Sequence, residues 1–311
     1  MQESHDDHPT NPPASPPADS STETTPGSAT VAADQSPAPP APALSMPASE
    51  QAAMSFVLAL GRVVPRFPSL AVEREFAQVL GRGDAEGLTD RQALQRVLSD
   101  PTNRYLARRM CWVFVIEGLE TYVLAPRDPA DLDLLIEAIR AEPDANDVDV
   151  VTGILGPSTP PEACGGLMVP LVIFDQLYSF NRDELIKALP KPVEARGERE
   201  GQFAATAAEL FDRIMQMADN AGATDEHRAL NYLAVRYPAI YAQTAQAHEG
   251  NASLSGVEVR PSRLAGVRNV VDVIFSYTHR ETDVTEKYFV RVDVTEEFPF
   301  LVTKLSPFYD R

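Results

Sequence analysis

The spacing of apolar positions changes several times along this chain, and each change marks an element. Met54, Val57, Leu58 and Val64 fall near helical spacing, and Pro65 cannot continue a helix. Leu70, Phe76, Val79 and Leu80 predict a second helix over 70–80, with Gly81 as its stop. Thr89 reads as the N-cap of DRQALQRVL, and Gln92 stands three residues later in capping-box register. Residues 49–100 are therefore expected to form a helical segment.

Residues 101–190 read as a mixed αβ part. RRMCWVFVIEG and ETYVLAPR are rich in β-branched and aromatic residues, and Glu117-Gly118 between them predicts a hairpin. In DPADLDLLIEAIR, Asp128 caps a helix and Pro129 occupies its first position; Leu132, Leu135, Ile136 and Ile139 form the apolar stripe. VDVVTGILG (148–156) is a strand, PSTPPEACGG a loop, and LMVPLVIFDQLYSF (167–180) one long strand or a strand pair interrupted by Pro170. Asn181 or Asp183 then starts a short helix to Leu189.

PKPVEARGEREGQ (190–202) is polar and reads as a linker or surface loop. The part from 200 to 311 opens with a helix in which Phe203, Ala207, Leu210, Phe211, Ile214 and Met217 share a face, ended by Gly222. Thr224 caps the next helix, whose first turn is acidic, and Pro238 kinks or restarts it. The two should pack as an antiparallel hairpin. Four strand-like runs follow, separated by turns. Tyr288, Val290, Val292 and Val294 alternate with Phe289, Arg291, Asp293 and Thr295, as in a half-buried antiparallel strand. The fold class is α+β: a mixed αβ region, a helical hairpin and a C-terminal antiparallel sheet, behind a disordered N-terminal tail. The expected core includes Trp112, Phe114, Leu135, Val172, Phe174, Phe211, Ile214, Leu233, Ile274, Phe289 and Val292.

The tail reading rests on residues 1–48, which hold eleven prolines among Ala, Ser and Thr and almost no large apolar side chains. Such a segment cannot bury enough surface to offset its ordering entropy. SPAPPAPAL (36–44) should sample polyproline II. The net charge is −18; residues 1–50 hold seven acids and no Lys or Arg, which leaves −11 for residues 51–311. An acidic body without a basic run argues against nucleic acid and anionic membranes as partners. No stretch approaches the ~20 apolar residues of a membrane span, and the first residues lack a secretory signal's basic and apolar regions. A cytoplasmic protein is expected.

Chemistry-bearing motifs are sparse. Cys111 and Cys164 form no CxxC, a disulfide scaffold is not expected, and Cys111 reads as a small buried hydrophobe. Cys164 precedes Gly165-Gly166, so an exposed thiol in a Cys/His pair is arithmetically possible; the alternative is a loop that needs small residues and positive φ. There is no HExxH, no GxSxG and no phosphate loop, so neither metal nor cofactor is expected. Asp131/Asp133 and Asp144/Asp147/Asp149 read as solvated carboxylates. The densest polar constellation is DNAGATDEHR (219–228). It places Asn220, Asp225, Glu226, His227 and Arg228 around two helix ends, either as mutual capping and salt bridges or as an edge that binds a peptide or partner.

Four strings carry a resemblance: NRYLARRMCWVFVIEGLETYVLAPRD, LMVPLVIFDQLYSFNRDELIKA, AELFDRIMQMADNAGATDEHRALNYLAVRYPAIY and DVTEKYFVRVDVTEEFPFLVTKLSPFYDR. They resemble the C-terminal domain of the cyanobactin maturation protease PatG, a relative of which ends its pathway partner PatA. The resemblance covers about residues 100–311. In that family the domain follows a subtilisin-like protease that cleaves and macrocyclises a ribosomally made precursor peptide, and the domain itself has no known function. No catalytic residues come with it, and the protease triad is missing here. The resemblance implies a non-catalytic accessory protein that binds a precursor peptide or a peptide-modifying enzyme, and the β-rich C-terminal region could offer a sheet edge for strand addition. A homo-oligomeric structural module, such as a homodimer, and an unrecognised peptide hydrolase or isomerase are the alternatives.

Overall fold

The computed structural model describes residues 54–81, 87–190, 198–217, 219–264 and 266–309. The Pro-rich tail and most of the polar stretch at 190–202 lie outside the described residues. Residues 52–311 form one compact unit.

Five strands close into a barrel in the order β1-β2-β3-β5-β4. They are β1 (Phe56–Arg66), β2 (Cys111–Ile116), β3 (Leu119–Pro126), β4 (Asp147–Ser158) and β5 (Pro170–Asn181). β1 pairs through its first half with β4 and through its second half with β2, both antiparallel. The parallel pair β3–β5 completes the closure. Closure removes the sheet edges that would otherwise need covering. Between these strands lie α1 (Leu70–Leu80), α2 (Asp90–Ser99), α3 (Arg104–Arg109), α4 (Leu132–Glu137) and, after β5, α5 (Arg182–Ala188).

The run expected as a helix from residue 49 to Pro65 is instead strand β1 from Phe56 onward. Its physical reason is burial on both faces. Val57, Ala59 and Val63 join one core with Trp112, Phe114 and Phe174, while Leu58 and Leu60 join a second core against later helices. A strand covered on both sides carries no polar alternation, so its apolar positions also satisfy helical spacing. The remaining helices of 49–100 form as expected. The Thr89 capping box is present, with Gln92 N–H donating to Thr89 Oγ1 at 3.3 Å and Thr89 N–H to Gln92 Oε1 at 3.0 Å.

The C-terminal part is α6 (Glu198–Met215), α7 (Asp225–Arg236) and α8 (Ala239–Glu249), followed by β6 (Ala252–Pro261), β7 (Val270–His279), β8 (Thr285–Asp293) and β9 (Phe300–Pro307). The four strands form an antiparallel sheet in sequence order. Pro238 restarts the helix as expected, since a proline cannot supply the N–H that α7 would need to continue. The break alters the hairpin: α6 packs mainly on α8 and less on α7. Phe211, Ile214, Leu233, Val273, Phe275 and Val292 lie in the core between these helices, the sheet and the barrel. Each such side chain contributes roughly 1.5–3 kcal/mol on burial.

Every residue of the expected core is buried except Phe289. That ring lies on the other face of β8, edge-on to Phe308 at 5.7 Å and under the Arg291 guanidinium at 4.9 Å.

Two chemical expectations are corrected. Cys111 and Cys164 form a disulfide, with Cα atoms 5.4 Å apart. The closed barrel brings the loop that bears Cys164 over β2, a juxtaposition that a sequence separation of 53 conceals. Cys164 is buried, while Gly165 and Gly166 do adopt positive φ, 61° and 93°. Asp149 is buried too, not solvated. Its carboxylate accepts the Val63 N–H at 2.7 Å and the Ser179 hydroxyl at 2.5 Å, bonds that partly offset a desolvation which pushes its pKa up.

Candidate functional site

The turn 219–228 lies against the barrel. Gly222 has φ +74° and its carbonyl accepts the Leu58 N–H at 2.9 Å. A Cβ there would strike the Leu58 carbonyl, so backbone and strand can approach only without a side chain. Tyr122 of β3 donates its hydroxyl to the Ala221 carbonyl at 2.8 Å, and burial pushes that phenol up to about 12. Asn220 and Asn231 exchange amide hydrogen bonds of 2.8 and 3.1 Å in the interior, and Asn231 also donates to the Leu58 carbonyl at 2.8 Å.

Thr224 caps α7 by accepting the His227 N–H at 3.2 Å. Asp225 and Glu226 stand in the first turn, where the helix dipole favours anions. Burial lowers the His227 pKa, and the Glu226 and Asp219 charges oppose that shift; Nδ1 is buried without a partner. Arg228 points away from the turn and is buried. Its guanidinium donates to the Val294 carbonyl at 2.7 Å, to the Glu296 carbonyl, and to the Glu297 carbonyl at 3.2 Å. It also lies 5.2 Å from the Phe56 ring centroid and 3.5 Å from Asp225. Of the five residues singled out in the sequence, Asp225 and Arg228 meet directly. Asn220 turns inward to Asn231, and Glu226 and His227 sit at the helix start.

Arg228 thereby fixes the segment 294–297 that leads into β9. The same segment meets the barrel through a second contact. Asp175 is the extra residue of a β-bulge in β5, opposite the step from Thr152 to Gly153. Gly153 permits this bulge, because a Cβ there would lie 2.6 Å from the Phe174 Cα. The Asp175 and Glu297 carboxyl groups converge on the same Arg127 nitrogen, and each keeps a buried oxygen without a hydrogen-bond partner. Arg127 lies 2.7 Å from Asp175 Oδ2 and 3.6 Å from Glu297 Oε2, as a charge contact out of line for a hydrogen bond to Asp175 Oδ2. Desolvation, then the neighbouring Asp175 carboxyl, push Glu297 up to about 7 against the opposing pull of Arg127 and Arg228.

Beyond this anchored segment the chain presents apolar side chains to solvent. Phe298 is 51% exposed, Phe300 47% and Val302 38%. Among the described residues β9 is the edge of its sheet, bonded on one side to β8. The Leu305 N–H is met by the Tyr237 hydroxyl at 2.9 Å. A cleft of about 300 Å³ opens beside Phe298 and Pro299, walled by Leu58, Tyr178, Tyr232 and Arg236. The Arg236 guanidinium lies 5.0 Å over the Tyr178 ring. A larger concavity of about 520 Å³ lies around Arg62, Arg91 and Arg182, but Asp147 and Asp212 stand among them, with Arg182 2.6 Å from Asp212.

Sequence reasoning missed Asn231, Tyr122, Asp175 and Glu297, and it offered a sheet edge in the C-terminal β region without naming its residues. Asn231 carried a signal, an amide among the apolar positions of RALNYLAV. The catalytic use of Cys164 as a free thiol is not available in the disulfide-bonded protein. Among the described residues no group of three or more His, Cys, Asp or Glu could hold a metal ion, and no helix is long and apolar enough to cross a membrane.

The fold and this arrangement define a barrel joined through a helical layer to an antiparallel sheet with one apolar free edge. Residues 197–308, from α6 through β9, match the family model described as PatG C-terminal. A solved structure described as a PatG domain of unknown function has the same fold. It shares 21% identity, aligns with a TM-score of 0.66, and covers 82% of this chain and 98% of that chain. That extent is more than residues 100–311 alone could supply, so the likeness reaches into the segment before residue 100. No curated protein matches the sequence. The chain carries a PatG C-terminal-like domain.

Proposed function

We propose that this protein is a non-catalytic accessory factor in the maturation of ribosomally made peptides of the cyanobactin kind, and that it binds an extended precursor peptide along β9. The observation that carries this reading is the free edge strand with Phe300 and Val302 exposed beside the aromatic cleft at Phe298. An unpaired edge offers main-chain hydrogen bonds, and neighbouring apolar pockets select alternate side chains, which is how strand addition recognises peptides. The acidic body favours a basic or neutral peptide over an acidic one. The PatG likeness supports the pathway context.

Affinity purification from the native cell tests this, comparing the tagged protein with its F300D/V302D variant. The expected result is recovery of a short precursor peptide or a peptide-modifying enzyme by the wild type and its loss in the variant. Recovery of neither by the wild type would count against the reading. The same edge could instead pair with a second copy of the chain, and light scattering at high concentration separates that case by mass.

A further inference from the structure

We propose that Asp175 and Glu297 form a protonation-dependent latch that holds the 294–299 segment, and through it the start of β9, on the barrel. Asp175 belongs to the barrel and is turned outward by the β5 bulge; Glu297 belongs to the segment that enters the edge strand. Their side chains are mostly covered, 24% and 14% exposed. Asp175 Oδ2 and Glu297 Oε1 are buried and receive no N–H or O–H from the protein. One proton between the carboxyl groups satisfies the pair, whereas two ionised carboxylates at this contact repel. The pair therefore acts on the position of the segment.

The charged groups that face the pair are Arg127, which follows β3, and Arg228 of α7, with Asp225 beside Arg228. Arg127 stands nearer to Asp175 than to Glu297, and the three carbonyls it serves already occupy Arg228. The two cations therefore reduce the repulsion without cancelling it, which agrees with the rise of Glu297 to about 7.

The sign follows from linkage. The closed latch binds its proton more tightly than the open one, so it is strongest below the ordinary glutamate range. It weakens by up to about tenfold per pH unit as pH rises toward 7, and levels off above that. Rigidity of the edge strand then depends on pH, and its consequence for peptide capture rests on the binding reading above.

Two measurements on the full chain, without any ligand, test the latch. The Glu297 side-chain carbonyl carbon, followed by NMR, should titrate with a midpoint near 7. Hydrogen exchange at the amides of Val294 and Thr295, corrected for intrinsic rates, should lose at least about tenfold of its protection between pH 5 and 7.5. Glu297→Gln supplies a permanent donor to Asp175 and should make that protection independent of pH. Asp175→Asn serves the same purpose if the first variant folds poorly. A Glu297 midpoint in the ordinary carboxylate range, or pH dependence unchanged in the variants, would overturn the proposal. Either outcome leaves the peptide-binding reading to its own test.

Discussion

Asn231, in the middle of α7, donates an amide hydrogen to the carbonyl of Leu58 in β1 at 2.8 Å, across 173 residues of sequence. Its other polar atoms are committed to Asn220, so one side chain ties the helical layer, the turn and the barrel together. Asn231→Ala leaves the Leu58 carbonyl and the Asn220 amide buried and short of partners, each of which costs about 1–3 kcal/mol. The expected loss is about 2–4 kcal/mol of unfolding free energy. Urea titration followed by Trp112, the single tryptophan and itself buried, measures it.

Gly222 makes the same joint possible from the backbone side. Alanine there would face both the positive φ and the collision with Leu58. Gly222→Ala should cost about 3 kcal/mol, the sum of a strained backbone and a displaced strand. A glycine-to-alanine change at exposed Gly201, in α6, serves as the control and should stabilise slightly, since alanine is the better helix former. Thermal unfolding of the two variants side by side gives the comparison.

The Cys111–Cys164 disulfide closes a loop that includes most of β2, β3 and β4. Its removal frees the unfolded chain and should cost about 2–4 kcal/mol. Denaturation of the wild type in reductant, and of Cys164→Ser, should give the same midpoint, lower than that of the oxidised wild type. Equal midpoints for wild type under both conditions would show that the pair contributes nothing to stability.

Arg228 is the buried cation that serves three carbonyls of the 294–297 segment. Arg228→Ala should destabilise by about 3–5 kcal/mol, since it empties a buried site and strands those acceptors. Arg228→Lys keeps the charge but loses the planar fork, so it should fall between. Hydrogen exchange should show the loss first at Val294 and Thr295.

How much of this could be seen in the sequence depends on the environment of each element. β8 was legible because its buried Val290 and Val292 alternate with the less buried Arg291. Caps were legible because Thr89, Asn181 and Thr224 act within three residues of themselves. β1 was not, because Val57 and Leu58 point into two different cores and erase the alternation. Barrel closure was hidden in the parallel β3–β5 pairing, which joins residues nearly fifty positions apart.

The polar constellation at 219–228 was legible as a set and misleading as a surface. Asn220 and Arg228 look like exposed turn residues until the barrel and the 294–297 segment arrive to bury them. Asp175 and Glu297 gave no local signal, because each becomes unusual only through the other. A sheet edge in the C-terminal region was foreseeable, but its placement at Phe300 was not, since FPFLVTKL has the composition of any strand.

The account stands most directly on whether β9 binds a peptide. The measurement is an NMR titration of the isotope-labelled protein with a synthetic precursor-type peptide, extended and basic or neutral. Saturable shifts confined to Phe298 through Lys304 and to the cleft residues Tyr178 and Tyr232, suppressed by F300D/V302D, are the predicted result. Absence of shifts at millimolar peptide, or shifts confined to the concavity around Arg62 and Arg182, would contradict it.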